Sequence, residues 1–492
     1  MPLVARWLAK AIVIGSAAVL ILGFVASSGS AGSSAPVFGT PVYVDQQLAG
    51  GEPEVIADTL HGGFVYTAHE GTTHLYRDGL TMSPWGDFAF VSNYCNQVNV
   101  WTSKDGINWY RARYLGTSCP TSPANNTGFS DPDLTFDAGG RLYNTGIDLV
   151  NDALFSSPDG SQTWDKGTAD CHDGDGPWLA GAGPNRVYMA TDTIEGSNTG
   201  HQVFVSSDGG NTCSATGIDD NGTLADGTSY SGFGKLYYDR VAGVLVEPAI
   251  FQHPDGRFGV GISVSDKAVT AFTPKEAVGG TTMFAHWPAI AIDAAGTAYV
   301  VWDTDNRRPS TSGGCNGSET PAANSIMLVY TKDLGKTWSK PIAVARPSGA
   351  RVLWPWVTAG DAGKVSVVWY QTEAQDNLPD LDCQTGHIHV LEATILNASS
   401  TSRSIATTDA VGRVVHIGWV CQGGTTCVAT GQDRRLGDYF TNALDARGCV
   451  LIATGDTRLT DPTTGAPYPT ARSLFIRQVG GPRLTGKGNC TS

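Results

Sequence analysis

The chain has 492 residues, with 46 acidic and 32 basic side chains and a formal net charge of −14. A protein with this negative charge would repel the phosphate groups of a nucleic acid, which argues against a nucleic-acid partner. Only 16% of the residues are charged and 61 are glycine, a composition typical of a turn-rich all-β protein.

The first 35 residues are predicted to be a targeting segment. Arg6 and Lys10 make a basic start, residues 11–26 are apolar, and small residues follow from Ser27 to Ala35. This order is typical of a secretory signal peptide. The apolar run is short for a membrane span, and an uncleaved anchor at 11–26 is the alternative. We therefore predict a secreted protein that meets a membrane only if this segment is retained.

The ten cysteines agree with export, because an even number in an exported chain indicates disulfides. Sequential pairing is the simplest arrangement, although sequence alone leaves the connectivity open. The five bonds would be Cys95–Cys119, Cys171–Cys213, Cys315–Cys383, Cys421–Cys427 and Cys449–Cys490.

A short pattern of Ser or Thr, then Asp, Gly, Thr and Trp, recurs along the chain. Its Asp side chain can accept hydrogen bonds from backbone N–H groups ahead of it, and Gly supplies the positive φ of a tight turn. Each copy therefore predicts a turn between two antiparallel strands. The copies are 103–109, which is one residue shorter, 157–164, 206–213, where Cys213 replaces Trp, and 331–338.

These segments resemble Asp-boxes, the BNR repeats of sialidases and related β-propellers. The resemblance implies an all-β propeller in which the box is a fold element away from the substrate. The copies recur about every 50 residues, which predicts the length of one blade. Residues 264–271 keep the Asp and the Thr of the pattern and fill the longest gap between copies.

Seven blades fit these repeats best, and six is the alternative because the sialidases that this chain resembles have six. Val37–Val44 is expected to add an outer strand to the last blade and close the ring, which removes exposed sheet edges. One propeller domain would span 36–485, with a C-terminal tail at 486–492. The predicted blades are 52–116, 130–170, 174–220, 234–278, 286–345, 351–408 and 435–480.

The starts of the innermost strands combine proline with acidic or aromatic residues. Because inner strands line the channel of a propeller, these residues should meet at one mouth. Carboxylates and aromatic rings converging from several blades are typical of a carbohydrate site. The alternative is structural, with acids capping strands and tryptophans packing between blades. The starts are Glu52-Pro53-Glu54, Asp131-Pro132-Asp133, Asp175-Gly176-Pro177-Trp178, His286-Trp287-Pro288, Trp354-Pro355-Trp356 and Gly437-Asp438-Tyr439.

Five long segments rich in Gly, Ser, Asn and Asp separate the predicted strands. Long loops on a rigid scaffold usually carry function. These segments are 76–88, 118–130, 307–323, 371–386 and 418–436.

The sialidase resemblance implies an Arg triad that holds the substrate carboxylate, a Tyr nucleophile polarised by a Glu, and an Asp acid/base. Where that family has Arg-Ile-Pro, this chain has Glu52-Pro53-Glu54. Tyr439 is the candidate nucleophile and Glu247 its partner. Asp133 and Asp438 are the other candidate catalytic residues. The candidate substrate-binding residues are Arg435, Arg240, Asp131, Asp175, His286 and Trp354.

Two functions remain open from the sequence. The first is a secreted, sialidase-like glycoside hydrolase that acts on a terminal sugar of a glycan. The second is a non-catalytic propeller that binds carbohydrate or a protein partner. An enzyme needs convergent acids, and an Arg cluster if its sugar is a sialic acid. No metal or cofactor is predicted, with calcium left open because Asp173 and Asp175 offer hard oxygen ligands.

Overall fold

All thirty elements in the described part of the chain are β-strands. The computed structural model describes residues 35–48, 50–69, 76, 99–112, 130–148, 151–165, 168, 171, 174–193, 200–219, 222–281, 287–304, 324–374, 386–418, 420–421, 424, 427 and 431–491. No helix in these residues is long and apolar enough to cross a membrane. The predicted signal peptide lies outside the described residues, apart from Ala35.

The strands form seven antiparallel sheets, which are the blades of a β-propeller. Blade A consists of β3–β6, Glu54–Ala57, Phe64–Ala68, Asn99–Ser103 and Tyr110–Arg111. Blade B consists of β7–β9, Ser130–Phe136, Leu142–Asp148 and Asn151–Ser157. Blade C consists of β10–β13, Gly174–Gly181, Val187–Thr193, His201–Ser206 and Ser214–Asp219.

The remaining blades follow the same order of strands from the channel outward. Blade D has a divided inner strand and consists of β14–β18, Ser229–Ser231, Tyr237–Asp239, Val244–Gln252, Phe258–Ser265 and Phe272–Thr281. Blade E consists of β19–β22, Ala289–Ile292, Ala298–Thr304, Ser325–Thr331 and Ile342–Ala345. Blade F consists of β23–β27, Val352–Ala359, Val365–Thr372, His387–Leu396, Ser404–Asp409 and His416–Ile417.

Blade G joins the two ends of the chain. Its C-terminal strands are β28–β30, Thr441–Leu444, Val450–Asp456 and Arg472–Gly480, and its N-terminal strands are β1, Val37–Phe38, and β2, Val42–Tyr43. Both N-terminal strands pair with β30, which closes the ring as predicted. The seven sheets confirm the predicted propeller and the favoured blade number.

An Asp ends several inner strands and builds the turn into the second strand. One oxygen of Asp137 accepts the N–H of Gly139 at 2.7 Å, and the other accepts the N–H of Asn185 in blade C, also at 2.7 Å. Asp293 of blade E likewise accepts the N–H of Gly363 in blade F at 2.9 Å. Such turns fix both their own hairpin and the position of the next blade, because a buried donor must find an acceptor.

The recurring outer turns share one hydrogen-bond pattern. One oxygen of Asp159 accepts the N–H of Thr163 at 2.8 Å, and the other accepts the Thr163 hydroxyl at 2.6 Å. The carboxylate thus replaces backbone acceptors in the turn, as the sequence pattern predicts. The same two bonds occur in the pairs Asp208–Thr212, Asp266–Thr270 and Asp333–Thr337.

Three predicted disulfides are present, Cys171–Cys213, Cys421–Cys427 and Cys449–Cys490. The cysteines of the other two predicted pairs lie outside the described residues. Cys213 and Cys171 pack in one buried cluster with Leu154 and Phe204. The disulfide therefore fills the place in the third outer turn where the other full copies have Trp.

The two ends of the blades differ in the lengths of their connections. Turns from first to second strands, and from third to fourth strands, are short and lie at one end. The inner strands begin at the other end, which we call the mouth. The five long segments predicted from the sequence attach to strand ends at the mouth, and most of their residues lie outside the described ranges.

Candidate functional site

Several inner strands begin at the mouth with a residue in the left-handed region followed by proline. The φ angles are 47° at Glu52, 48° at Asp131 and 54° at Trp354. In blades B and F the strand register shifts at this point, which marks a bulge. A left-handed residue other than glycine costs about 1–3 kcal/mol and is enriched at functional sites. The mouth therefore has the backbone strain that is typical of a functional site.

Glu52 is fully buried and ties three blades together at the mouth. One of its oxygens accepts the N–H of Asp131 in blade B at 3.1 Å. The other accepts the N–H of Asp438, just before blade G, also at 3.1 Å. Carboxylate oxygens of Glu52, Asp131 and Asp438 all lie within 4.8 Å of one another. We call these three residues the mouth carboxylates.

Arg434 supplies positive charge beside the mouth carboxylates. Its two terminal nitrogens donate to the two oxygens of Asp438 at 2.6 and 2.5 Å, and one of them lies 3.9 Å from Glu52. Bidentate pairs of this kind fix geometry as well as charge. The carboxylate spacing would also suit a calcium ion, but both oxygens of Asp438 already accept hydrogen bonds from Arg434, so we assign no metal to the mouth.

Asp131 and Asp175 are the mouth acids with altered titration. Burial, followed by the negative charges of Glu52 and Asp175, raises the pKa of Asp131 well above its ordinary value. Loss of hydration also raises the pKa of Asp175, although a hydrogen bond from Asp131 opposes this. A hydrogen bond between two carboxyl groups requires a proton on one of them. The surroundings of Asp131 therefore favour its protonated form more than those of an ordinary Asp do.

Aromatic rings from several blades pack against one another near the mouth. The ring centroid of Tyr439 lies 5.2 Å from that of Trp178 and 5.7 Å from that of Trp356, and Trp287 lies 6.0 Å from Trp178. The Tyr439 hydroxyl donates to the carbonyl oxygen of Pro132 at 2.8 Å. Burial, followed by the charges of the nearby acids, raises the pKa of Tyr439 well above its ordinary value. The tryptophans and Tyr439 thus form one aromatic cluster close to the acids.

A second polar cluster is buried beside the inner strands. The Lys235 ammonium donates to Glu54 at 2.7 Å and to Asp133. The second oxygen of Glu54 accepts the backbone N–H of Leu134, and the second oxygen of Asp133 accepts that of Leu179, both at 2.6 Å. Every carboxylate oxygen therefore has a donor, which is the arrangement that makes buried charge tolerable. Asp133 belongs to this network rather than to the mouth carboxylates.

The structure separates the other predicted site residues. Glu247 is fully buried and pairs with His201 at 3.1 Å, while the Tyr439 hydroxyl bonds to Pro132. Arg240 donates to the carbonyl oxygens at the far end of β10, away from the mouth. Trp354 is buried, and its backbone N–H donates to a carboxylate oxygen of Asp303 at 3.2 Å. His286 lies outside the described residues.

Arg435 pairs with its neighbour Asp433 through two nitrogens and donates a third N–H to the carbonyl oxygen of Tyr468. The Cζ atom of its guanidinium lies over the Tyr76 ring, 5.3 Å from the ring centroid. The guanidinium is thus engaged within the protein. Of the predicted residues, the structure brings Asp131, Asp175 and Asp438 together at the mouth.

Sequence reasoning did not select Glu52, Arg434, Lys235 or His201 as site residues. Glu52 had a usable signal, because it stands in the same acid-Pro-acid pattern as Asp131. Arg434 stands four residues before Asp438, but nothing local predicts that the two pair. Lys235 is one cation in a Gly-rich stretch, and its partners lie 102 and 181 residues away along the chain.

The sequence matches no protein-family model and no curated protein. Solved structures resemble this chain only at low sequence identity and with TM-scores below 0.5. A protein of unknown function from Dyadobacter fermentans is 13% identical, with a TM-score of 0.43, covering 91% of this chain and 98% of its own. An ulvan lyase of a polysaccharide lyase family is 10% identical, with a TM-score of 0.43 and coverages of 93% and 96%. A Hadza microbial sialidase is 16% identical, with a TM-score of 0.40 and coverages of 77% and 73%.

Proposed function

We propose that this protein is a secreted glycoside hydrolase that acts on a terminal sugar held at the mouth of the propeller. The observation that supports it is the meeting of Asp131, whose pKa is raised by burial and by the neighbouring acids, with the carboxyl groups of Glu52 and Asp438. Glycoside hydrolysis uses two carboxyl groups with different protonation states on either side of the scissile bond. Groups whose environments push their pKa values apart are the usual acid and base of such a site.

Asp131 is the general acid in this proposal. It gives its proton to the oxygen of the leaving group as the bond to the sugar breaks. Asp438, fixed by Arg434, faces the positive charge that develops on the sugar ring. Water then adds to the sugar and returns a proton to Asp131. Asp175, whose side chain lies beside Asp131 and still reaches solvent, would accept a hydrogen bond from a sugar hydroxyl.

The sialidase-like form of the proposal needs guanidinium groups that can hold a substrate carboxylate. Among the described residues, Arg434 is engaged with Asp438 and Arg435 with Asp433. The acids around them would also repel an anionic sugar. We therefore expect neutral terminal sugars to be preferred over sialic acid.

A non-catalytic carbohydrate-binding propeller is the second candidate. The observation that favours it is the Tyr439 hydroxyl, which is buried and bonded to a carbonyl oxygen. A phenol with a raised pKa is a poor nucleophile, because the phenolate is the attacking form. A binding protein would need the acids and aromatic rings but no activated group.

The test is an assay of the purified secreted chain on fluorogenic glycosides of neutral sugars, amino sugars and sialic acid. Turnover of at least one neutral glycoside is the expected result. If a correctly folded protein turns over none of them, the hydrolase proposal is wrong. Binding on a glycan array would then support the second candidate.

Replacing Asp131 with asparagine should lower kcat/KM by roughly 100-fold or more, because the amide cannot donate the catalytic proton. The measurement is steady-state kinetics on the best glycoside of the panel. Asp361→Asn is the matched control, because Asp361 lies in a short turn at the opposite end of blade F and pairs with Lys364 at 3.1 Å. Equal activity of both variants would exclude Asp131 as the acid.

Replacing Tyr439 with phenylalanine should leave kcat within about threefold of the wild-type value, since the hydroxyl makes one structural hydrogen bond to Pro132. A Tyr nucleophile predicts the opposite result, a loss of turnover with the fold intact. The same kinetic assay, together with a thermal unfolding curve, separates these outcomes. Loss of turnover in a folded variant would assign the nucleophile to Tyr439.

A further inference from the structure

A buried histidine links two blades behind the mouth. His201, at the start of the third strand of blade C, is 2% exposed. Its Nδ1 lies 2.7 Å from Asp192, and its Nε2 lies 3.1 Å from Glu247 in blade D. Phe233 covers the imidazole face, with the ring centroids 4.4 Å apart. Both ring nitrogens are thus held between carboxylates.

The charge of His201 follows from these contacts. Burial alone would lower its pKa, but the carboxylates of Glu247 and Asp192 outweigh that effect and raise the pKa to about 10. The ring is therefore an imidazolium that donates from both nitrogens at neutral pH. It forms an ion pair with each acid and holds both in fixed positions.

The two acids at its ends lie in different surroundings. Glu247 is fully buried, and its second oxygen has no hydrogen-bond partner among the described residues. The side chain of Asp192 is 54% exposed. Asp192 also lies directly opposite Asp175 across strands β10 and β11, at their mouth ends. The ion-pair chain thus runs from the interior of blade D to the rim of the mouth.

Stability alone does not explain this arrangement. Well-packed apolar side chains in place of a buried ion pair are often neutral or stabilising. Here one oxygen of Glu247 has no hydrogen-bond partner in the described part of the chain, which is itself unfavourable. The exposed end gains an anion held in one place beside Asp175. Fixed side chains of this kind are what a binding site requires.

We propose that Asp192 contacts the sugar bound beside Asp175, and that His201 and Glu247 are positioning residues that hold its carboxylate in place. The inference rests on the sugar site of the proposed function. The carboxylate accepts hydrogen bonds from sugar hydroxyls, so it sets affinity rather than the rate of bond cleavage. The competing interpretation is a purely structural tie between blades C and D.

Two substitutions at His201 separate these interpretations. The amide nitrogen of asparagine falls near the position of Nδ1, so His201→Asn keeps a donor for Asp192 and removes the one for Glu247. The amide nitrogen of glutamine falls near Nε2, so His201→Gln keeps the donor for Glu247 and removes the one for Asp192. Each variant therefore tests one end of the chain of ion pairs.

The readouts are the affinity for S-linked phenyl glycosides of the panel sugars, which resist hydrolysis, and stability in urea. His201→Gln and Asp192→Asn should each weaken binding about tenfold. The first loses the charged hydrogen bond that holds Asp192, and the second loses the charge of Asp192 itself. His201→Asn should bind within about threefold of the wild type yet be the less stable His201 variant, since Glu247 is buried without a partner. The double variant Asp192→Asn/His201→Gln should bind no more weakly than Asp192→Asn alone.

Unchanged affinity in Asp192→Asn, or affinity losses in the His201 variants that simply follow their stability losses, would overturn the proposal. Failure of the hydrolase proposal gives a different pattern, in which the wild type binds a thioglycoside but turns over no glycoside. If the wild type binds none of the thioglycosides, Asp192 has no sugar to position and this proposal is also wrong.

Discussion

Replacing Lys235 with methionine is expected to lower the free energy of unfolding by about 3–5 kcal/mol, the cost of removing one partner from a buried ion pair. The ammonium contacts Glu54 of blade A and Asp133 of blade B, and donates to the Leu134 carbonyl oxygen at 3.2 Å. Methionine fills a similar volume but leaves both acids without a counter-charge. Urea unfolding at neutral pH measures the loss.

The electrostatics of the network give the direction of this effect. Burial and then the charge of Asp133 raise the pKa of Glu54, and the Lys235 ammonium opposes this rise. Burial disfavours the charged form of Lys235, but Asp133 and Glu54 outweigh it and raise the lysine pKa. Without the lysine, folding must either bury two like charges or protonate the acids.

Two further variants make the interpretation specific. Lys364→Met removes a partly exposed lysine that pairs with Asp361, so its effect should stay within about 0.5 kcal/mol. The triple variant Glu54→Gln/Asp133→Asn/Lys235→Met removes all three charges and should recover part of the lost stability. If Lys235→Met is as stable as the wild type, the ion pairs of Lys235 with Glu54 and Asp133 do not stabilise the fold.

Local patterns in the sequence were sufficient to predict the blades. The third blade was predicted at 174–220 and its strands occupy 174–219. The closing strand was predicted at 37–44, and residues 37–43 supply two short strands that pair with β30. These predictions succeed because turn chemistry and strand alternation depend on residues within a few positions of one another.

The site was predicted only in part, because its partners are distant in the sequence. Asp131, Asp175 and Asp438 could be placed at the mouth from their positions at strand starts. The pairing of His201 with Glu247 spans 46 residues, and that of Lys235 with Glu54 spans 181. The packing of blades in the ring determines both pairs, and no local pattern encodes them.

A buried acid in blade F should make the stability of the protein depend on pH. Glu392 is fully buried, and one of its oxygens accepts the hydroxyls of Ser366 and Thr394 at 2.6 and 2.9 Å. Its other oxygen has no hydrogen-bond partner among the described residues. Burial raises the pKa of Glu392 from 4.5 to about 8, although the two hydroxyls oppose this rise.

The sign of the dependence follows from linkage. The raised pKa means that the folded protein holds a proton that the unfolded chain releases above its ordinary pKa. The stabilisation is therefore complete below about pH 4.5 and is lost as the pH rises toward about 8, where it levels off. A shift of this size corresponds to about 5 kcal/mol between the two limits. Asp303, whose pKa burial raises to about 7, adds a dependence of the same sign.

Glu392→Gln should remove the Glu392 part of this slope, because glutamine cannot ionise and keeps an oxygen for the two hydroxyls. The measurement is the free energy of unfolding in urea at about pH 5 and about pH 9, on either side of the raised pKa. The variant should gain stability over the wild type at the higher pH. Asp361→Asn, at a partly exposed site paired with Lys364, should keep the wild-type slope. An unchanged slope in Glu392→Gln would mean that the folded protein ionises Glu392 at little cost. That result would contradict the raised pKa of Glu392.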